Sequence, residues 1–326
     1  MLIGDDGGAR PLNGHLFRAR CWDANRVNYY VNYAPKHEDP NSQTFRKTSE
    51  LAKRRIVAVG DLHGDMDSAL SVLRMARVID NSGRWSGGSN TVLVQTGNII
   101  DYGPDTKDLL TFFAQLVQEA NRAGGRVIQL LGNHEIMNMA HDLRFVRERS
   151  DEFLSPESRA TTFSSTGYLG FRLSNLPVVR QINDTVFVHG GITLRWADND
   201  IQVINQYAKA QLDSYIKRKD TGTAARYPFV LDESSPIHYD GYLEDPERVA
   251  CEALQRVLLA MGVKRMVVGH TLQESGKIYS RCNGRLLAIN TGISRAIQGK
   301  HSALEILPGN SINAIYPSGL DNLANL

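Results

Sequence analysis

Ile56-Val57-Ala58-Val59-Gly60-Asp61-Leu62-His63-Gly64 decides the fold. Four apolar residues run into a glycine. A carboxylate and an imidazole follow, one residue apart, on a turn closed by a second glycine. An apolar run this short, stopped by a turn, is a strand buried on both faces. Working outward, Met66, Leu70, Leu73 and Arg77 recur at helical spacing. Residues 91–95 form a second strand. Residues 106–123 form a helix with Leu109, Leu110, Phe113 and Leu116 on one face, ended by Gly124-Gly125. Residues 126–131 form a third strand. The order is βαβαβ, which implies parallel strands joined by right-handed crossovers.

The alternation continues. Residues 185–188 and 265–268 are further strands, and 250–261 is a helix. Ile201, Ile204, Ala208, Leu212 and Ile216 make a helical stripe. Residues 286–289 and 303–307 have the pattern of antiparallel strands. No internal repeat appears. Residues 1–54, with a Tyr29-Tyr30-Val31-Asn32-Tyr33 cluster and no helical period, form an N-terminal extension. Residues 55–317 form the main α/β domain, and 318–326 a frayed tail.

A chain of 326 residues buries a large core. Its net charge of +2 gives no global field favouring nucleic acid or an anionic membrane. No apolar run has signal or membrane-spanning length. Cys21, Cys251 and Cys282 show neither a zinc spacing nor an even disulfide set, and Cys251, like Met137, Met139, Trp85 and Trp196, is expected to pack in the core. These features suit a reducing compartment and a cytoplasmic protein.

Four further motifs share the position of the first, directly after a strand or its turn: Gly97-Asn98-Ile99-Ile100-Asp101-Tyr102-Gly103, Leu131-Gly132-Asn133-His134-Glu135, His189-Gly190-Gly191 and Val268-Gly269-His270-Thr271. Open α/β sheets bind ligands at the carboxyl ends of their strands, so the five should converge. Asp61 and His63 suit one cation, and Asn133, His189 and His270 a second, with position 98 between them. Mixed nitrogen and oxygen ligands favour Mn, Fe or Zn. Two metals roughly 3.5–4 Å apart activate water and clamp phosphoryl oxygens. His134 is placed to protonate a leaving oxygen, with Asp101 orienting it. A single histidine after a strand is usually structural; the ordered set is a far stronger signal.

This set resembles the phosphoprotein phosphatase superfamily. Trp85-Ser86-Gly87-Gly88, Val94-Gln95-Thr96-Gly97, Gly103-Pro104-Asp105-Thr106, Gly132-Asn133-His134-Glu135-Ile136-Met137-Asn138 and Asp142-Leu143-Arg144-Phe145-Val146 resemble its Shewanella-like branch. The resemblance runs over about residues 55–306. It implies a metallophosphatase fold, a central β-sandwich flanked by helices, with two metals and phosphoprotein hydrolysis. It makes Asp61, His63, Asn133, His189 and His270 metal ligands and His134 and Asp101 the acid dyad.

The chain departs from that pattern where charge matters most. Asn98 stands where the family has a bridging Asp. Tyr102 and Asp240 stand where it has phosphate-clamping arginines, and Asn290-Thr291-Gly292 replaces Asp-x-Gly. A neutral amide bridges two cations poorly, and neither Tyr nor Asp reproduces a guanidinium fork. One metal, or none, is therefore expected rather than a tight pair. The first functional reading is a pseudophosphatase: a catalytically impaired homologue that binds a protein partner or scaffolds a complex, with neither nucleic acid nor membrane as partner. The alternative is an active metal-dependent phosphoprotein phosphatase, in which Asn98 is an engineered substitution that traps substrate. A third is a small-molecule sensor, with Tyr102 and Asp240 lining a pocket for a neutral or cationic ligand.

Overall fold

The structure is a computed structural model that describes residues 54–146, 152–223, 228–309 and 311–325. The N-terminal extension expected over 1–54, with its tyrosine cluster, lies almost wholly outside the described residues. The strands are β1 (Arg55–Val59), β2 (Thr91–Gln95), β3 (Arg126–Gln129), β4 (Val179–Ile182), β5 (Thr185–Val188), β6 (Arg265–Val268), β7 (Tyr279–Arg281), β8 (Leu286–Ala288), β9 (Ala303–Ile306), β10 (Ser311–Tyr316) and β11 (Gly319–Asn325). They form a six-stranded sheet in the order β11-β10-β9-β1-β2-β3 and a five-stranded sheet in the order β4-β5-β6-β8-β7.

The apolar runs are continuous because each strand feeds two cores. In β1, Val57 and Val59 join the helix-facing cluster, while Ile56 and Ala58 join the cluster between the sheets. Leu93 of β2 and Met266 and Val268 of β6 face the helices; Val92, Val94 and Val267 face the other sheet. Period-2 alternation thus divides apolar from apolar, not apolar from polar. The expected parallel core is present: β1 pairs with β2 and β2 with β3, all parallel. In the second sheet β5, β6 and β8 are parallel.

Helix Thr106–Arg122 buries Leu109, Leu110, Phe113 and Leu116, as its spacing predicts. Helix Met66–Met75 starts at Asp65, whose side chain accepts the Ser68 N–H at 3.1 Å. The stripe from Ile204 to Ile216 is the buried face of helix Ile201–Asp220. Helix Glu247–Met261 ends on Gly262, whose φ of 65° meets the left-handed geometry of a helix stop. Trp85 and Trp196 pack on the helix-side core.

Three expectations change. Residues 319–325 are not frayed: β11 pairs antiparallel with β10 through a tight turn. Its exposed side chains gave no apolar signal, and its order comes from ladder hydrogen bonds. Both late segments expected to be antiparallel have an antiparallel neighbour, β9 in β1 and β8 in β7, but β8 also runs parallel to β6 on its other side. Cys251 does more than pack. It forms a disulfide with Cys282, with Cα atoms 5.4 Å apart across 31 residues. The pair ties helix Glu247–Met261 to the end of β7, and the cysteine argument for a reducing compartment loses its basis. No helix among the described residues is long and apolar enough to cross a membrane.

Candidate active site

The turns after β1 and β2 are stitched together by their backbones. Leu62 and His63 donate their N–H groups to Asn98 O at 2.9 and 3.0 Å, and Gly64 donates to Ile99 O at 2.7 Å. The turns are bent into an unusual conformation. His63, Asn98, Asp101, Tyr102 and His270 all have φ between 43° and 70°. For residues other than glycine this costs free energy, and such residues concentrate at functional sites. The buried Glu135 carboxylate holds the bend. It accepts the N–H groups of Asn98 (2.9 Å), Ile99 (2.8 Å) and Gly132 (2.9 Å), while burial raises its pKa. Gly132 must be glycine here, because a Cβ would lie 2.3 Å from Asn98 Oδ1.

Asn98 sits at the centre. Its Nδ2 donates to Asp61 Oδ2 at 3.0 Å, and its Oδ1 accepts the His134 N–H at 3.1 Å. Asp61 Oδ1 accepts the His270 N–H at 3.2 Å, and Oδ2 lies 3.7 Å from His63 Nε2. Asn133 Oδ1 lies 3.0 Å from His189 Nε2, and the His189 and His270 rings are 5.0 Å apart. All six sequence-nominated ligands, Asp61, His63, Asn98, Asn133, His189 and His270, therefore meet in one cleft.

The titrating groups are displaced in a consistent way. Burial pushes Asp61 up to about 7, against the hydrogen bonds from Asn98 and the His270 N–H. Burial, with His134 nearby, lowers His63 to about 3. Burial, with His238 second, lowers His270 to about 4, and burial holds His189 well below its usual range. The imidazoles are neutral at pH 7. His63 Nδ1 faces Ile100 O at 3.2 Å and His189 Nδ1 faces Thr96 O at 2.9 Å. A neutral ring that donates from Nδ1 keeps a lone pair on Nε2. Each Nε2 then confronts another acceptor, Asp61 Oδ2 or Asn133 Oδ1. Paired acceptors converging on one point fit a cation ligated by nitrogen and oxygen. Among the described residues no three His, Cys, Asp or Glu form a metal cage by themselves. Amides hold two of the six places, so the donor set lacks an anionic bridge.

The two residues expected to form an acid dyad are in contact. His134 Nδ1 lies 2.8 Å from Asp101 Oδ2. Asn138 Nδ2 donates to both Asp101 oxygens, at 3.0 and 2.9 Å, and Arg159 Nη2 donates to Oδ1 at 2.9 Å. Arg159 Nε closes the network on Asn138 Oδ1 at 2.7 Å. Arg159 is buried beside the rings of Phe153 and Phe163. Sequence reasoning missed it. It belongs to no motif and reaches Asp101 across 58 residues of chain.

Tyr102 and Asp240 differ from one another. Tyr102 joins an aromatic group over the dyad, 4.9 Å from the His63 ring, 5.3 Å from His134 and 5.5 Å from Phe145. Asp240 is exposed on the wall of a cavity of about 740 Å³ that it shares with Asp232, Glu233, His238 and His270. Asn290 supports the rim, donating from Nδ2 to His270 O at 2.8 Å.

Residues 54–274 match the calcineurin-like phosphoesterase family profile. An uncharacterized protein of Schizosaccharomyces pombe is 36% identical, with 80% of each chain covered. Shewanella-like protein phosphatase 2 of Arabidopsis thaliana is 29% identical over 90% of this chain and 86% of that one. Among solved structures, the cold-active protein-tyrosine phosphatase of a psychrophile Shewanella sp. superposes with a TM-score of 0.70 at 26% identity, covering 91% of this chain and 92% of the other.

Proposed function

The chain belongs to the calcineurin-like phosphoesterase family, and from that membership we propose that it is a pseudophosphatase: a binding module on a phosphatase framework with negligible turnover of phosphoesters. One observation carries the reading. The side chain at position 98 spends its amide on Asp61 and its carbonyl on the His134 N–H. It supplies no negative charge where the two ligand groups meet. Asp61 and His63 on one side, and Asn133, His189 and His270 on the other, would hold a divalent ion of the Mn, Fe or Zn type. Bound there, such an ion supplies Lewis-acid polarisation and an activated water. Without an anionic bridge the expected load is one ion, or none.

The substrate side supports the same reading. Tyr102 puts an aromatic face where the family places a guanidinium, and Asp240 puts a carboxylate beside Asp232 and Glu233 at the cleft mouth. A phosphoryl group approaching this wall meets repulsion, and its developing charge lacks cationic donors. A protein partner that presents basic side chains suits the wall better. A small cationic ligand is the lesser form of the same idea.

A second reading, a slow or altered phosphatase, draws on the intact dyad. A buried arginine and an amide hold Asp101 against His134, an arrangement able to donate a proton to a leaving oxygen. The test is metal analysis coupled to phosphopeptide and aryl phosphate hydrolysis, with and without Mn. The expected result is negligible turnover by the parent, little recovery with Asn98→Asp, and more with Asn98→Asp, Tyr102→Arg and Asp240→Arg together. Strong turnover by the parent sinks the proposal. Near-full turnover with Asn98→Asp alone identifies an enzyme trapped by one substitution.

A further inference from the structure

The disulfide between Cys251 and Cys282 joins the weakest strand of the second sheet to the segment that carries the acidic wall of the cleft. β7 is an edge strand and pairs with β8 alone, over Tyr279–Arg281. The chain then turns through Cys282, Asn283 and Gly284, with φ of 56°, 57° and 78°. Two consecutive residues other than glycine in the left-handed region cost free energy. A short edge strand ending in such a turn opens locally at little cost unless something else holds it. The disulfide is that hold: Cys251 lies in helix Glu247–Met261, whose buried face of Ala250, Leu254, Val257 and Leu258 keeps it in place.

Arg281 connects this hold to the cleft. Its side chain is buried. Nη1 donates to Tyr242 O, Nη2 donates to Asp245 O at 2.6 Å, and Nε has no partner among the described residues. Tyr242 lies in helix Gly241–Glu244, which starts at Asp240 and is capped by Asp245. Helix ends leave carbonyls unmet, and here a guanidinium meets them. The wall that precedes this helix packs without slack on the His189-Gly190-Gly191 turn. Gly190 donates its N–H to Pro236 O at 2.8 Å, and a Cβ on Gly190 or Gly191 would lie 2.8 Å from Tyr239 N or Tyr239 Cδ1. A displacement of residues 236–245 therefore reaches the cavity lined by His238, Asp240 and His270.

We propose that the Cys251–Cys282 disulfide is a redox latch on the acidic wall of the cleft. The reductant is a dithiol. One of its thiolates attacks the sulfur of Cys251, the more exposed of the pair, and Cys282 leaves with the bonding electrons and takes up a proton. The second thiol then displaces Cys251 as a thiol and closes the reductant's own disulfide, so two electrons and two protons pass to the protein. β7 frays, Arg281 releases the carbonyls of Tyr242 and Asp245, and Asp240 loses its fixed position. That the wall receives a basic partner rests on the reading proposed above; that it loosens does not.

The experiment is hydrogen–deuterium exchange on the full chain in EDTA at neutral pH, read by mass spectrometry over residues 236–246. Four samples are compared: the oxidised parent, the parent reduced with dithiothreitol, the double variant Cys251→Ser with Cys282→Ser, and oxidised Arg281→Gln. Thiol titration of the untreated, denatured parent should first find one free thiol; three would show the pair unjoined and overturn the proposal. Reduction should speed exchange several-fold over 236–246 and leave β2 and helix Thr106–Arg122 unchanged. The double variant should match the reduced parent and ignore dithiothreitol. Arg281→Gln should speed exchange over the same residues with its disulfide intact. Unchanged exchange on reduction overturns the latch. An equal rise in every segment, the mark of a staple on overall stability, does so too, as does parent-like exchange in Arg281→Gln. Calorimetric titration of a tetra-arginine peptide separates the two readings. It should bind the oxidised parent and bind roughly tenfold more weakly after reduction, the size of one charged hydrogen bond. Equal affinity in both states overturns the latch. No binding in either state, with exchange responding as expected, overturns the basic-partner reading and upholds the latch.

Discussion

Replacing Asn98 by Asp should make the stability of the cleft depend more strongly on a bound metal. In the parent, Asn98 Nδ2 donates to Asp61 Oδ2 at 3.0 Å. The substitution removes a hydrogen bond to a charged group, a loss of about 1.5–3 kcal/mol. It also sets two carboxylates against each other. At 3.0 Å and an effective dielectric of about 20, the bare repulsion is on the order of 5 kcal/mol. Two carboxylates this close share a proton instead, which recovers part of the loss. The net expectation is a destabilisation of about 2–4 kcal/mol at pH 8 in EDTA. The pH dependence has a definite sign. Asp61 already has a folded-state pKa raised to about 7, so its folded form holds a proton that the unfolded chain has released. Stability is therefore lost as pH rises from about 4 through 7. A second carboxylate deepens and extends that loss, so the gap between variant and parent should widen from pH 5 to pH 8. Mn should close it, because a cation binding the native state adds RT ln(1 + [L]/Kd). The measurement is urea denaturation at pH 5, 6.5 and 8, with EDTA or excess Mn. Equal stability of variant and parent at pH 8 in EDTA, with no extra gain from Mn, would refute the electrostatic account of position 98.

Arg159→Met should cost about 3–5 kcal/mol in urea denaturation, because it strands the buried Asp101 without its cation. Cys251→Ser should lower stability by about 3–4 kcal/mol, the chain-entropy value for a loop of 31 residues. It should also abolish any shift of the thermal midpoint on adding dithiothreitol; a parent midpoint already insensitive to reductant would contradict the pairing. Burial alone would raise Asp65, but hydrogen bonds from Arg295 and Ser68 hold it down to about 2. That stabilisation is complete above about pH 4 and fades as pH falls through 2, so Arg295→Ala should flatten the acid limb of a thermal-midpoint profile between pH 5 and pH 2.

The sequence carried the β1-β2-β3 core, the long helices and the convergence of the motifs, because each rests on local information. A helical stripe such as Ile204, Ala208, Leu212 and Ile216 is fixed by a period of a few residues. The positions of Asp61, Asn98, His134, His189 and His270 follow from a rule about strand ends. Signals that depend on exposed or isolated residues did not carry. The side chains of residues 319–322 in β11 are exposed and the strand is held by backbone pairing, so its composition resembled a tail.

By itself the sequence determined that positions 98, 102 and 240 carry an amide, a phenol and a carboxylate. Composition is enough for that, since a residue type fixes its formal charge. Only the tertiary structure decided what the remaining groups do with one another. It turned the Asn98 amide toward Asp61, brought Arg159 onto Asp101 and joined Cys251 to Cys282. Hydrogen bonds act over about 3 Å, and the partners in these contacts lie tens of residues apart in the chain. No periodicity or spacing encodes such meetings; they exist only once the two sheets have packed.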